Sequence, residues 1–188
     1  MARWEPGARD RLRDAALTLF LERGFEQTMV AEIAERAGVT ARTFFRHFAD
    51  KREVLFDGSS GLEETALAAV EEAPASSSAM DAVMTALDAV AAAIGENHDF
   101  ARKRQTVITA NAELRERELI KHASISRILA DGLRRRGADA FEAALAAETG
   151  VAVYRVAFEQ WTGSAEPGAL PDVIRASLTR LRALTSAG

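Results

Sequence analysis

Between residues 28 and 48 the chain carries two short apolar stripes separated by one glycine. Val30, Ile33, Ala34 and Ala37 form the first stripe, Val39, Phe44 and Phe48 the second, and Gly38 lies between them. Spacings of three and four put each set on one face of a helix. A glycine that can take positive φ turns the chain within a few residues, as two helices packed at a steep angle require. Ala34 and Ala37 are small enough for close approach. The segment therefore predicts a helix-turn-helix. Thr28 is placed to cap helix two, which ends at Gly38, and Thr40 to cap a third helix running to His47 or Phe48.

The flanking sequence extends the pattern. Leu12, Ala15, Ala16, Leu19 and Phe20 mark helix one over about residues 8 to 23, with Gly24 as its stop signal. Asp50-Lys51-Arg52-Glu53 reads as a capping box opening a fourth helix, so four helices are expected in the first sixty residues. A long fourth helix would run through Gly58 and Gly61 or bend there. Pro74-Ala75-Ser76-Ser77-Ser78 reads as a loop. Helical periodicity covers about 62 to 72, 79 to 95, 99 to 109, 112 to 136, 138 to 162 and 169 to 184. No period-2 alternation of strand length is present, so the predicted fold is all-α. Residues 1–56 form an N-terminal three-helix DNA-reading domain on this view, and 57–188 a larger helical domain.

Composition narrows the chemistry. The 188 residues contain no cysteine, which removes disulfides and thiolate ligands, and the three histidines, His47, His98 and His122, share no metal-ligand spacing. No metal and no cofactor are expected. No apolar run approaches the roughly 18 residues of a membrane span, and the first residues do not resemble a signal peptide. The expectation is a soluble, cytoplasmic protein with no membrane partner. The net charge of −4 hides uneven segments: residues 57 to 99 hold nine acids and no base, and 100 to 136 hold ten bases against four acids. Those two regions are expected to pair.

Within residues 40 to 52, Arg42, Arg46, Lys51 and Arg52 stand against Asp50 alone. If Val39, Phe44 and Phe48 dock the third helix, Ala41, Arg42, Phe45 and Arg46 are left on its outer face. Arginine bonds the O6 and N7 edge of guanine bidentately in the major groove, so Arg42 and Arg46 are the candidate base readers. Thr28, Thr40, Thr43, His47 and Lys51 are candidates to hold phosphates. His47, beside two aromatics, fits core packing equally well.

These residues resemble the TetR family of transcriptional regulators. The likeness rests on Gly24-Phe25, Thr28, Ile33-Ala34-Glu35-Arg36-Ala37-Gly38-Val39-Thr40, Thr43-Phe44-Phe45-Arg46-His47-Phe48 and Lys51-Arg52-Glu53-Val54-Leu55, about the first third of the chain. Met29 stands where members commonly have a second threonine, and Phe45 where they commonly have tyrosine. Two phosphate-bonding hydroxyls are thereby replaced, and Phe45 is suited instead to apolar contact with thymine methyls. The resemblance implies a homodimer whose third helices enter successive major grooves of a pseudo-palindromic double-stranded operator. It also implies repression, relieved when a small-molecule effector of unknown identity binds the helical domain.

Candidate effector-lining residues are Leu62, Met80, Met84, Leu87, Phe100, Arg104, Ile108, Phe141 and Phe158, a mix of flexible and aromatic groups suited to an apolar ligand. All serve equally as ordinary core. Arg102-Lys103-Arg104 can receive a ligand's anionic group, although pairing with the acidic region is the simpler account. For a dimer interface the apolar stripes of the last two helices supply Val151, Tyr154, Trp161, Ile174, Leu178 and Leu181, unless both helices simply complete the monomer's core. The alternatives are a ligand-independent or activating regulator, a helical adaptor binding an acidic protein, and a bundle enzyme. An enzyme finds little support: there is no Glu-x-x-His pair, no Gly-rich phosphate loop and no nucleophile with an evident base.

Overall fold

A computed structural model describes residues 7–94 and 97–186, and no strand occurs among them. The elements are α1 (Ala8–Arg23), α2 (Val30–Arg36), α3 (Ala41–His47), a 3₁₀ turn (Glu53–Phe56), α4 (Ser59–Glu72), α5 (Ala79–Ile94), α6 (His98–Ala110), α7 (Ala112–Arg135), α8 (Ala140–Gly163) and α9 (Leu170–Ser186). Helical periodicity thus placed nearly every helix. The exception follows Asp50. Its carboxylate does accept from the backbone N–H groups of Arg52 and Glu53, at 2.8 and 3.2 Å, as a capping residue should. The Glu53 side chain, however, pairs with Arg117 and does not reach back. Only the 3₁₀ turn forms, and Gly58 at φ 83° separates it from α4, which starts at Ser59 with Gly61 inside it.

Two compact units divide the chain: residues 1–58 with 103–118, and residues 59–102 with 119–188. Unit 1 packs α2 and the 3₁₀ turn against α1, and α3 against α2. Its buried residues include Leu12, Leu19, Phe20, Phe25, Ile33, Phe44, Phe48, Val54 and Leu55, joined by Val107, Ile108 and Leu114 from the α6–α7 hairpin. α6 therefore begins in unit 2 and ends in unit 1, and α7 runs back from unit 1 to unit 2.

In unit 2, α4 packs on α5, α5 on α8 and α9, and α8 on α9. The core combines Val70, Val83, Leu87 and Val90 with Leu129, Leu133, Val151, Tyr154, Phe158, Trp161, Ile174 and Leu178. An aromatic run lies along α8: Tyr154 stacks on Phe158 with centroids 5.6 Å apart, Phe158 is 5.8 Å from Trp161, and the His98 ring meets Trp161 edge-on at 4.6 Å. His98 Nε2 also donates to the Trp161 carbonyl at 2.9 Å.

Opposite charges meet as the sequence suggested at Arg135–Glu71 and, within one helix, Arg102–Asp99. Arg136 adds a related contact, donating to the carbonyls of Glu71, Ala73 and Pro74 where α4 ends. Other pairs run elsewhere: Asp57 meets Arg9, and Asp81 and Asp88 meet Arg182 and Arg175.

Candidate nucleic-acid interface

α2 ends in a glycine turn. Gly38 takes φ 67°, its N–H donates to the Glu35 carbonyl at 3.0 Å, and the Val39 N–H donates to the Ala34 carbonyl at 2.9 Å. This pair of bonds is the Schellman closure, which satisfies the last carbonyls of a helix only if the turning residue tolerates the left-handed region. The chain re-enters helix at Thr40, whose hydroxyl accepts from the Thr43 N–H at 3.2 Å and lies 3.1 Å from the Thr43 hydroxyl.

α3 is sided as its sequence predicts. Phe44 and Phe48 are buried and their rings lie 5.5 Å apart, while Val39 is half-buried. Arg42, Phe45 and Arg46 are exposed, Ala41 and Thr43 half-exposed and Thr40 exposed. Phe45 shows 57% of its surface and Met29, at the start of α2, 63%. On α3 itself, Phe45 is thus exposed between the exposed Arg42 and Arg46. Met29 offers no hydrogen bond to a phosphate, and its position directly before α2 is the sequence signal for its exposure.

Two candidate phosphate holders, Thr28 and Lys51, are bonded elsewhere, and a third, His47, is half-buried. Thr28 is 1% exposed, and its hydroxyl donates to the Gly24 carbonyl at 2.8 Å, so it neither caps α2 nor faces outward. The α2 cap is made instead by Glu32, whose carboxylate accepts from the Met29 N–H at 2.8 Å and also binds Arg23 at 2.6 Å. A threonine hydroxyl bonds a carbonyl behind it as readily as an amide ahead, and burial of the loop selects the former. Lys51 turns its ammonium inward, onto the carbonyls of Phe25, Glu26 and Thr28. His47 is half-buried, with Nε2 enclosed and without a hydrogen-bond partner among the described residues.

Charge pairs brace unit 1 from the α6–α7 side. Arg52 binds Asp50 at 2.6 Å and Glu113 at 2.8 Å, and Arg117 binds Glu53 at 2.7 Å. The Arg52 hydrogen bond is the main reason the Asp50 carboxyl lies below the usual carboxylate range, with the Glu53 and Arg52 backbone N–H groups assisting against partial burial. Glu22 is lowered likewise by its hydrogen bond from Arg36, which joins α2 to α1. Arg104 donates to the Leu55 carbonyl at 2.6 Å, pairs with Glu118 at 3.2 Å and lies 5.0 Å from the Phe56 ring centroid.

That placement corrects the effector set. Arg104 and the buried Ile108 pack within unit 1, and Phe141 is 77% exposed, so these three lie outside the core of unit 2. Met84, Leu87 and Phe158 do come together in the core of unit 2, with Leu62 and Met80 packed against it, and Phe100 is half-buried. The proposed dimer stripe is corrected too. Val151, Tyr154, Trp161, Ile174 and Leu178 are buried in unit 2's own core and Leu181 is partly buried against it. The wider apolar stripe faced inward because each of these helices has neighbours to cover it. What α8 leaves outside is Phe141, Leu145 and Val156, accompanied on α9 by Leu184. Phe141, Leu145 and Val156 share one face of α8 by their spacing in the sequence.

Comparison with known proteins settles the kinship. The family model described as "Bacterial regulatory proteins, tetR family" matches residues 12–57, and that of the "MftR C-terminal domain" matches 77–185, more than half the chain. The chain belongs to the TetR family. Among curated relatives, this TetR-family chain is 48% identical over 82 residues to the HTH-type transcriptional regulator TcmR of Streptomyces glaucescens, covering 44% of the chain and 36% of TcmR. It is 43% identical over 51 residues to the HTH-type transcriptional repressor KstR2 of Rhodococcus jostii (strain RHA1), covering 27% of the chain and 24% of KstR2. The chain thus spans about a third or less of the length of these curated relatives. FadR of Thermus thermophilus, a TetR-family repressor solved with lauroyl-CoA, superposes with a TM-score of 0.57 at 24% identity, covering 93% of each chain. The TetR fold, a reading head followed by a helical domain, is what the two share. TetR-family proteins are transcriptional regulators rather than enzymes. No helix among the described residues is long and apolar enough to cross a membrane.

Proposed function

We propose that the protein is a cytoplasmic, homodimeric, sequence-specific repressor that leaves a pseudo-palindromic operator when a small-molecule effector binds unit 2. The observation that carries DNA reading is the sidedness of α3: Phe44 and Phe48 are buried while Arg42, Phe45 and Arg46 are presented together. Arg42 and Arg46 take the base edges, Phe45 and Met29 make apolar contacts with thymine methyls or sugars, and Thr40 and Thr43 hold phosphates. Twofold symmetry then places half-sites about 34 to 36 Å apart.

Dimerisation is assigned to the outer face of α8, where Phe141, Leu145 and Val156 lie exposed, with Leu184 of α9. Exposed apolar side chains arrayed along one helix are what a self-complementary interface covers. The effector is assigned to the apolar interior of unit 2 around Met80, Met84, Leu87 and Phe158, and the lauroyl-CoA held by the Thermus FadR is a precedent for a ligand within this fold.

Selection of bound duplexes from a random pool tests the reading directly. Recovery of one inverted repeat is expected, and Arg42→Ala should relax base preference at one position per half-site, a loss of about 1 to 3 kcal/mol there. Recovery of no preferred sequence by the purified dimer overturns it.

A further inference from the structure

Lys51 joins the two ends of the segment that contains α2 and α3. Its ammonium donates to the carbonyls of Phe25 at 2.8 Å, Thr28 at 3.3 Å and Glu26 at 3.4 Å, which engages all three of its N–H groups. It also sits 4.3 Å from the centroid of the Phe25 ring, itself buried edge-on to Phe20 at 5.1 Å. Thr28 ties the same loop from within, through its hydroxyl to the Gly24 carbonyl and its N–H to the Phe25 carbonyl at 3.3 Å. The chain leaves this loop, forms both helices of the motif and returns to it at Lys51. A phosphate contact would require the ammonium to give up one of these carbonyls.

We propose that Lys51 is a positioning residue for DNA reading: a clasp that holds α2 and α3 in register on α1, rather than a phosphate contact. The proposal rests on the DNA-binding reading above. Lys51 acts through Arg42, Phe45 and Arg46, whose reach to base edges depends on where α3 sits. Base-edge bonds are sensitive to small displacements, whereas sequence-independent attraction follows the number of phosphates neutralised. Opening the clasp therefore weakens binding to the preferred sequence more than to others. A lost phosphate contact weakens both alike and lowers the salt dependence.

The test uses the intact protein with two probes, the duplex selected from a random pool by the wild type and a random-sequence duplex. Lys51→Met, Lys51→Arg and Thr28→Val are compared with wild type across a salt series, at a temperature where circular dichroism shows each fully helical. Lys51→Met should lose about tenfold on the selected duplex, the scale of one base contact, and far less on the random one, with an unchanged salt slope. Lys51→Arg, which can donate to the same carbonyls, should restore most of the discrimination. Thr28→Val, which changes no charge, should also narrow it. An equal loss on both duplexes with a slope lower by about 0.9 per contact overturns the proposal. So does full discrimination by Thr28→Val, which decides the matter if Lys51→Met does not fold. A wild-type protein that prefers neither probe overturns the DNA-binding reading itself.

Discussion

Replacing Gly150 with alanine should destabilise unit 2, although alanine is the better helix former. Gly150 is buried in α8, and a Cβ placed on it falls 2.3 Å from Val83 Cγ1 and 3.4 Å from Leu87 Cδ1 of α5. Val83 is 0% exposed, and as a β-branched residue in a helix it has one strongly preferred rotamer, so it has nowhere to swing. The helices must part or the side chain must leave its rotamer. Overpacking of this kind costs about 1 to 3 kcal/mol, while removing a helical glycine returns about 1 kcal/mol. The net is a loss of up to about 2 kcal/mol, a fall of up to roughly 8 °C in Tm for a protein of this size. Thermal unfolding followed by circular dichroism at fixed protein concentration measures it. Gly61→Ala is the control: it lies in α4 with nothing within 4 Å of its Cβ position, so it should be neutral or stabilising. In a Val83→Ala background the sign should reverse, because the new methyl then fills space, giving a coupling of more than about 1 kcal/mol in the double-mutant cycle. A Gly150→Ala protein melting at or above wild type, or additive behaviour of the pair, would refute the close-approach argument.

Two further outcomes are expected. Because Asp50 has a lowered pKa in the folded state, its stabilisation is complete above the ordinary carboxylate value of about 4 and is lost as pH falls through the lower folded value. Denaturant titrations in the acid range should show wild type losing stability more steeply than Asp50→Asn, and parallel curves would remove Asp50 from the account. Phe141→Asp combined with Val156→Asp should give a folded monomer by analytical ultracentrifugation, whereas Leu178→Asp, inside the core, should lose helix content. A double variant still dimeric would move the interface elsewhere.

The helices were legible because each carries local punctuation: Gly24 after α1, Gly38 after α2, Thr40 before α3 and the Pro74–Ser78 loop before α5. The outer face of α3 was legible for the same reason, since burying Phe44 and Phe48 dictates what remains outside. What escaped were choices between two partners open to one side chain. Thr28 offered an amide or a carbonyl to bond, and Lys51 offered a phosphate or a loop to hold. Periodicity also shows that α8 is apolar on several sides without showing which side its neighbours already cover. Arg104 illustrates the longest-range case: its partners Leu55 and Phe56 lie about fifty positions earlier, and no local pattern announces such a return.

The return of residues 103–118 to unit 1 bears on how such regulators can be recombined. The backbone crosses between the units three times, at 58/59, 102/103 and 118/119. A chimera that exchanges reading heads by a single splice after Gly58 would pair the 3₁₀ turn of one parent with the α6–α7 hairpin of another. Arg52 would then lack Glu113, Glu53 would lack Arg117 and the Leu55 carbonyl would lack Arg104 unless the recipient happened to supply equivalents. A portable unit 1 therefore consists of two stretches of sequence, and exchanging it requires the hairpin tip to travel with residues 1–58.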